Sequence, residues 1–162
     1  MKHSVVLTVA CASLLASPVL GQGTLSEEMR KAILEYPLTL DGANHLLDAI
    51  EPMTRHVLAL PNAAEVTRRS QKMTLPERIA QTENDAQSMN ILRAHQLSAR
   101  DYVVGVPTLR LALAAASSSS AGNDRLFVAS PANLAFAKAN LTTLKPRLDA
   151  IDRGVAAKPP PR

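Results

Sequence analysis

LSARDYVVGVPTLRLALAAA, residues 97–116, is the stretch whose reading decides the fold. Ser98-Ala99-Arg100-Asp101 has the spacing of a capping box, in which a cap hydroxyl and a carboxylate three residues on satisfy each other's free backbone N–H. Beyond it, Tyr102, Val106, Leu109, Leu113 and Ala116 recur at helical spacing. Val103, Val104, Leu111, Ala112 and Ala115 make the opposite side apolar too. A helix that is hydrophobic around most of its circumference is buried on most sides, so this segment is expected to be the central helix of a bundle, from about residue 98 to 116. Arg110 is its one interior charge, expected on a narrow exposed edge. Gly105 and Pro107 weaken the helix locally and predict a kink.

The rest of the composition agrees with a helical chain. The 162 residues suit one domain. Leu and Ala dominate the apolar residues, aromatics are limited to Tyr36, Tyr102, Phe127 and Phe136, and Trp is absent. Such a core must be aliphatic, which suits close helix packing. Strand formers are few and scattered, while good helix formers are plentiful.

Residues 1–21 have the pattern of a signal peptide: a short basic start at Lys2 and His3, an uncharged apolar run from Val5 to Leu20, and small Val19 and Gly21 before the expected cleavage. The run is short and contains Pro18, which argues against a transmembrane anchor. The alternative is a lipoprotein signal using Cys11. Cys11 is the only cysteine, so cleavage after Gly21 leaves a chain with no disulfide, thiolate metal site or cysteine nucleophile. The expected location is periplasmic or secreted. Formal charge is +4 for the whole chain, and one less without Lys2. It is too mild and dispersed to argue for nucleic acid.

Along the chain, Thr24 and Glu27 form a capping-box pattern for a helix to about Glu35, with Met29, Ile33 and Tyr36 on one face. Pro37 should end it. Thr39 caps a helix striped by Leu40, Ala43, Leu47, Ile50, Met53, Val57 and Leu60. Pro52 lies within this stripe, which keeps its phase on both sides, and Pro61 stops the helix. Asn62 and Glu65 suggest another capping box and a short helix to about Lys72. Arg68, Arg69 and Lys72 near its end suit the negative end of a helix dipole, or form a binding patch for anionic surfaces. Thr74, Pro76 and Glu77 start a further helix with a weaker stripe of Leu75, Ile79, Ala86, Met89 and either Leu92 or Ile91. The polar stretch Gln81 to Asp85 either continues it or breaks it, with Asn84 capping a second segment.

Ser117–Asp124 reads as a flexible connection, after which Leu126, Phe127 and Val128 fold back onto the body. Ser130 and Pro131 start the last helix, with a regular seam of Leu134, Ala137, Leu141, Leu144, Leu148 and Ile151. Pro146 interrupts its hydrogen bonding without changing its phase. Gly154 is expected to end the helix, leaving residues 154–162 as a disordered proline-rich tail.

Two segments, Leu97-Ser98-Ala99-Arg100-Asp101-Tyr102-Val103 and Ser130-Pro131-Ala132-Asn133-Leu134-Ala135-Phe136, follow a signal peptide in that order. The chain thereby resembles a group of small exported bacterial proteins with no assigned activity. The resemblance covers the second half well and the first half weakly. It implies an exported helical protein and supplies no catalytic residues.

Chemistry-bearing patterns are sparse. Asp41, His45 and Asp48 stand at i, i+4 and i+7, which places two carboxylates and an imidazole on one helix face, a weak divalent-metal arrangement or an ordinary solvated face. The common hydrolase signatures G-x-S-x-G, H-E-x-x-H and S-x-x-K are absent, and the glycines are too dispersed for a phosphate loop. Asp101 is explained as a capping residue and Tyr102 as part of the apolar stripe. The sequon Asn140-Leu141-Thr142 places Leu141 in the buried seam and is discounted.

The fold expected is all-α: an irregular bundle of five or six helices around residues 98–116, within one domain spanning 22–153. The function expected is a non-catalytic exported module that binds a protein or the envelope surface, with no cofactor, no nucleic acid and no membrane anchor after cleavage. The alternative is a carrier or sensor of a small apolar ligand, held in a gap opened by Gly105 and Pro107 and lined by Tyr102, Gly105, Val106 and Pro107. A cleft gathering His95, Arg100, Asp101 and Tyr102 would instead favour an enzyme.

Overall fold

The computed structural model describes residues 26–118 and 129–157. Among them are seven α-helices and no strand: α1 (Glu27–Glu35), α2 (Leu40–Ala59), α3 (Ala63–Ser70), α4 (Leu75–Glu83), α5 (Ala86–Ala94), α6 (Ala99–Ser117) and α7 (Pro131–Ala157). The expected leader, residues 119–128 of the expected connection and fold-back, and residues 158–162 of the expected tail lie outside the described residues.

Helix boundaries follow local chemistry. Thr39 Oγ1 accepts from the Gly42 N–H at 3.1 Å. Thr74 and Glu77 form a capping box at the start of α4, and Ser98 and Asp101 form another at the start of α6. Three starts differ from expectation. α1 is capped by Ser26, whose Oγ accepts from the Met29 N–H at 3.2 Å. Asn62 stands at the start of α3 without a side-chain capping bond. The polar stretch does break the helix, but Asp85 caps α5 instead of Asn84, accepting from the Gln87 and Ser88 N–H groups. With this break the described residues hold seven helices, where five or six were expected for the chain.

At its other end, α5 closes in a left-handed turn. Leu97 N–H donates to the Leu92 carbonyl at 2.9 Å and Gln96 N–H to Arg93 at 3.0 Å, the paired bonds of a Schellman motif. Gln96 occupies the position that favours glycine, with φ of 57°. The next helix therefore starts in a direction set by a strained residue, with Leu92 and Leu97 both buried against the same core. The last helix runs past Gly154 to Ala157. No glycine has positive φ among the described residues, so Gly154 keeps helical geometry instead of supplying a left-handed stop.

The core has two parts that meet at α6. One contains Leu46, Leu47 and Ile50 of α2, Leu92 of α5, Leu109, Ala112 and Leu113 of α6, and Ala137, Leu144 and Leu148 of α7. The other contains Met29 and Ile33 of α1, Leu75 of α4, and Val104 and Leu111 of α6. Accordingly α6 packs against α1, α2, α4, α5 and α7. Both of its apolar sides are used, as the sequence pattern requires. Full burial of a Leu or Ile side chain contributes about 1.5–3 kcal/mol, so the aliphatic core carries most of the stability.

Polar ties fix how the helices meet. Asn133, only 2% exposed, clamps the connection between α1 and α2. Its Oδ1 accepts from the Leu38 N–H at 3.0 Å and its Nδ2 donates to the Tyr36 carbonyl at 2.8 Å. One side-chain amide thus satisfies the backbone on both sides of Pro37, which has no N–H of its own. Arg110, expected at an exposed edge, forms a bidentate pair with Asp152 of α7, at 2.9 and 2.7 Å.

Candidate functional site

The expected ligand gap does not stand open at Gly105. A Cβ at that position would lie 2.9 and 3.0 Å from the two Leu46 methyl carbons and 3.0 Å from Tyr36 Cζ. Glycine is there because α2 and the Tyr36 ring approach the α6 backbone directly, so the protein's own side chains occupy the space. Val106 packs, partly buried, against the larger core, and Pro107 is half-buried within the continuous helix α6. The Tyr102 phenol is pushed up to about 12 by burial, a rise that the nearby Arg110 cation partly opposes. The Tyr36 phenol is also raised to about 12, first by burial and then by the Asp101 carboxylate beside it.

The Asp41, His45 and Asp48 face does not act as a unit. Arg147 of α7 takes Asp48 in an ion pair at 2.9 Å and also donates to Asn44. Among the described residues, no group of three or more His, Cys, Asp or Glu side chains is arranged to hold a metal ion.

A different polar cluster assembles where α2 meets the start of α5. His56 Nε2 lies 2.6 Å from Asp85 Oδ2, and Ser88 Oγ donates to the same oxygen at 2.9 Å. Asp85 Oδ1 meanwhile accepts from the Gln87 and Ser88 backbone N–H groups. Burial would raise the Asp85 carboxyl, but the hydrogen bonds from His56 and Ser88 outweigh it and hold it below its ordinary value. The order of groups matters. A serine nucleophile needs the imidazole as its neighbour, whereas here the carboxylate separates Ser88 from His56. Ser88 is also only 4% exposed. The trio ties helices together and offers no activated nucleophile. Sequence reading misses it because His56 and Asp85 are 29 residues apart and no periodicity links them.

The remaining candidate lies at the corner formed by α3 and α4. α3 has no buried residue. Ala63, Val66 and Ser70 are half-buried, while Ala64, Glu65, Thr67, Arg68 and Arg69 are exposed, with Lys72 just beyond. The turn into α4 is held by Arg78, whose guanidinium donates to the Met73 carbonyl at 3.3 Å and the Gln71 carbonyl at 3.4 Å. Two open grooves flank this corner. One, of about 450 Å³, is lined by residues that include Arg69, Met73, Glu77 and Asp85. The other, of about 210 Å³, is lined by Glu65, Arg68, Arg69 and Lys72. Among the described residues, Arg68, Arg69 and Lys72 form no ion pair within 4.0 Å. Glu77 is held below the usual carboxylate value by the Thr74 backbone and hydroxyl, with a smaller contribution from the Arg69 charge. The corner offers a cluster of exposed guanidinium and ammonium donors, a surface suited to anions. The three cations are visible in the sequence, whereas the lack of burial beneath them is not.

Comparison with family models, with curated proteins and with solved structures finds no match to this chain.

Proposed function

We propose that this chain is an exported, non-catalytic interaction module that docks through α3. The observation carrying this reading is that α3 buries no residue while it and the turn after it present three cations, Arg68, Arg69 and Lys72, free of ion pairs among the described residues. Every other helix contributes at least one buried side chain. A helix that adds little to the core and displays concentrated charge is better explained by what it meets outside the molecule. Export rests on the signal-peptide pattern of residues 1–21, and a bacterial envelope setting on the resemblance carried by residues 97–103 and 130–136. In the same reading, α6 is the helix around which the bundle is organised, supported by its place in both parts of the core.

The test uses the triple variant R68Q/R69Q/K72Q and an isolated envelope fraction. The parent protein should co-sediment with that fraction, and the variant should not, while both unfold at the same urea concentration. Equal co-sedimentation of the two proteins would overturn docking through α3.

A further inference from the structure

We propose that the surface met by α3 is an anionic lipid bilayer, a proposal that rests on the docking reading above and names its partner. The chemistry of the corner favours a bilayer over a folded acidic protein. Arg68 and Arg69 lie in the last turn of α3 and Lys72 in the turn that follows, and all three line one groove, so their charges cover one continuous patch. The groove among them is open, and α3 packs on α2. Its exposed side, which carries Arg68 and Arg69, is open to a partner surface.

Protein interfaces take most of their affinity from large side chains, often aromatic, seated in partner pockets. The exposed residues of α3 and its following turn supply no aromatic or large apolar anchor: they are Ala64, Glu65, Thr67, Arg68, Arg69, Gln71 and Lys72. The large exposed apolar side chains, Leu34 and Leu40, lie on α1 and at the start of α2. A bilayer rich in acidic headgroups needs no such anchor, because each nearby Lys or Arg gains from the surface potential alone. Val66 and Met73 are half-buried, so association is peripheral and reversible by salt. Glu65, four residues before Arg69, lies within the patch and weakens it, and Glu77 across the neighbouring groove also faces the Arg69 charge.

The experiment is vesicle co-sedimentation of the full mature chain at low salt. One vesicle set contains roughly a third phosphatidylglycerol in phosphatidylcholine, and the other is phosphatidylcholine alone. Binding is expected to the anionic vesicles only, with release at about 0.5 M salt, where screening shortens to a few Å. Each neutralised cation should lower partitioning about fivefold, so R68Q/R69Q/K72Q should lose it almost entirely, while E65Q should strengthen it a few-fold. Circular dichroism of each variant establishes that the fold is kept. Equal binding to neutral vesicles, or an unchanged triple variant, overturns the bilayer proposal. If vesicles are not bound but envelope co-sedimentation still depends on the three cations, the bilayer proposal fails and docking on an acidic protein stands. If neither depends on them, both readings fall.

Discussion

α6 and α3 are opposites within one small protein. α6 sits between two parts of the core and fixes its neighbours through Leu109, Leu111 and Leu113, all no more than 4% exposed. α3 rests on α2 and buries no residue. Both carry charge, but to different ends. Arg110 of α6 is spent internally on Asp152, whereas Arg68 and Arg69 of α3 face solvent. The contrast teaches that apolar content around a helix governs how it is held, and that α3, which buries least, carries two adjacent solvent-facing arginines.

The largest expected effect tests that contrast directly. Leu109→Ala should cost about 2–5 kcal/mol, because a fully buried leucine leaves a cavity its neighbours cannot fill, while Val66→Ala on α3 should change stability by less than about 1 kcal/mol. Urea denaturation of both variants measures the difference, and similar losses would mean that the two helices are held alike. Asn133→Ala should cost about 2–3 kcal/mol, since it orphans the Leu38 N–H and the Tyr36 carbonyl together.

Gly105→Ala probes how tightly α6 is held against α2. Alanine gains about 1 kcal/mol of helix propensity, but its methyl group meets Leu46 and Tyr36 at 2.9–3.0 Å. Overpacking of this kind costs about 1–3 kcal/mol, so a net loss of roughly 1 kcal/mol is expected in thermal unfolding. A clear gain would mean that the helices are not in close contact at that point.

Asp85→Asn keeps a good helix cap while removing the charge. It should cost about 1 kcal/mol at neutral pH. Because the Asp85 carboxyl is lowered in the folded state, its contribution is present above the ordinary carboxylate value and disappears as pH falls through the lowered one. The stability difference between parent and variant should therefore shrink below about pH 4 in urea titrations. The smallest effect has the opposite sign. Gln96→Gly relieves a positive φ of 57° and should raise stability by about 0.5–1 kcal/mol.

Much of the fold is legible in the sequence. The stripes on α2, α6 and α7 point to Ala43, Leu47, Ile50, Met53, Leu109, Leu113, Ala137, Leu144 and Leu148, and these residues are buried. The stripe on α2 nevertheless understates the buried face. Leu46 and Ala49 are fully buried, while Leu40, at the first turn, is 46% exposed. A helix packed on several neighbours buries a wider face than one seam implies. The arginine and lysine cluster at the end of α3 and in the turn after it can also be picked out, but sequence periodicity does not say that this helix lies on the surface.

Local sequence is enough to set the all-helical class, the caps at Thr39, Thr74 and Ser98, and the apolar faces, because these depend on interactions within about four residues. It took the packed helices to decide that Asn133 clamps the turn at Pro37, that Asp85 joins His56 and Ser88, that Arg147 takes Asp48, and that Leu46 and Tyr36 close the space over Gly105. Most of these contacts join residues far apart in the chain, and no local spacing encodes them. Backbone groups left without partners at turns and helix ends must find them wherever packing brings a donor or acceptor within reach.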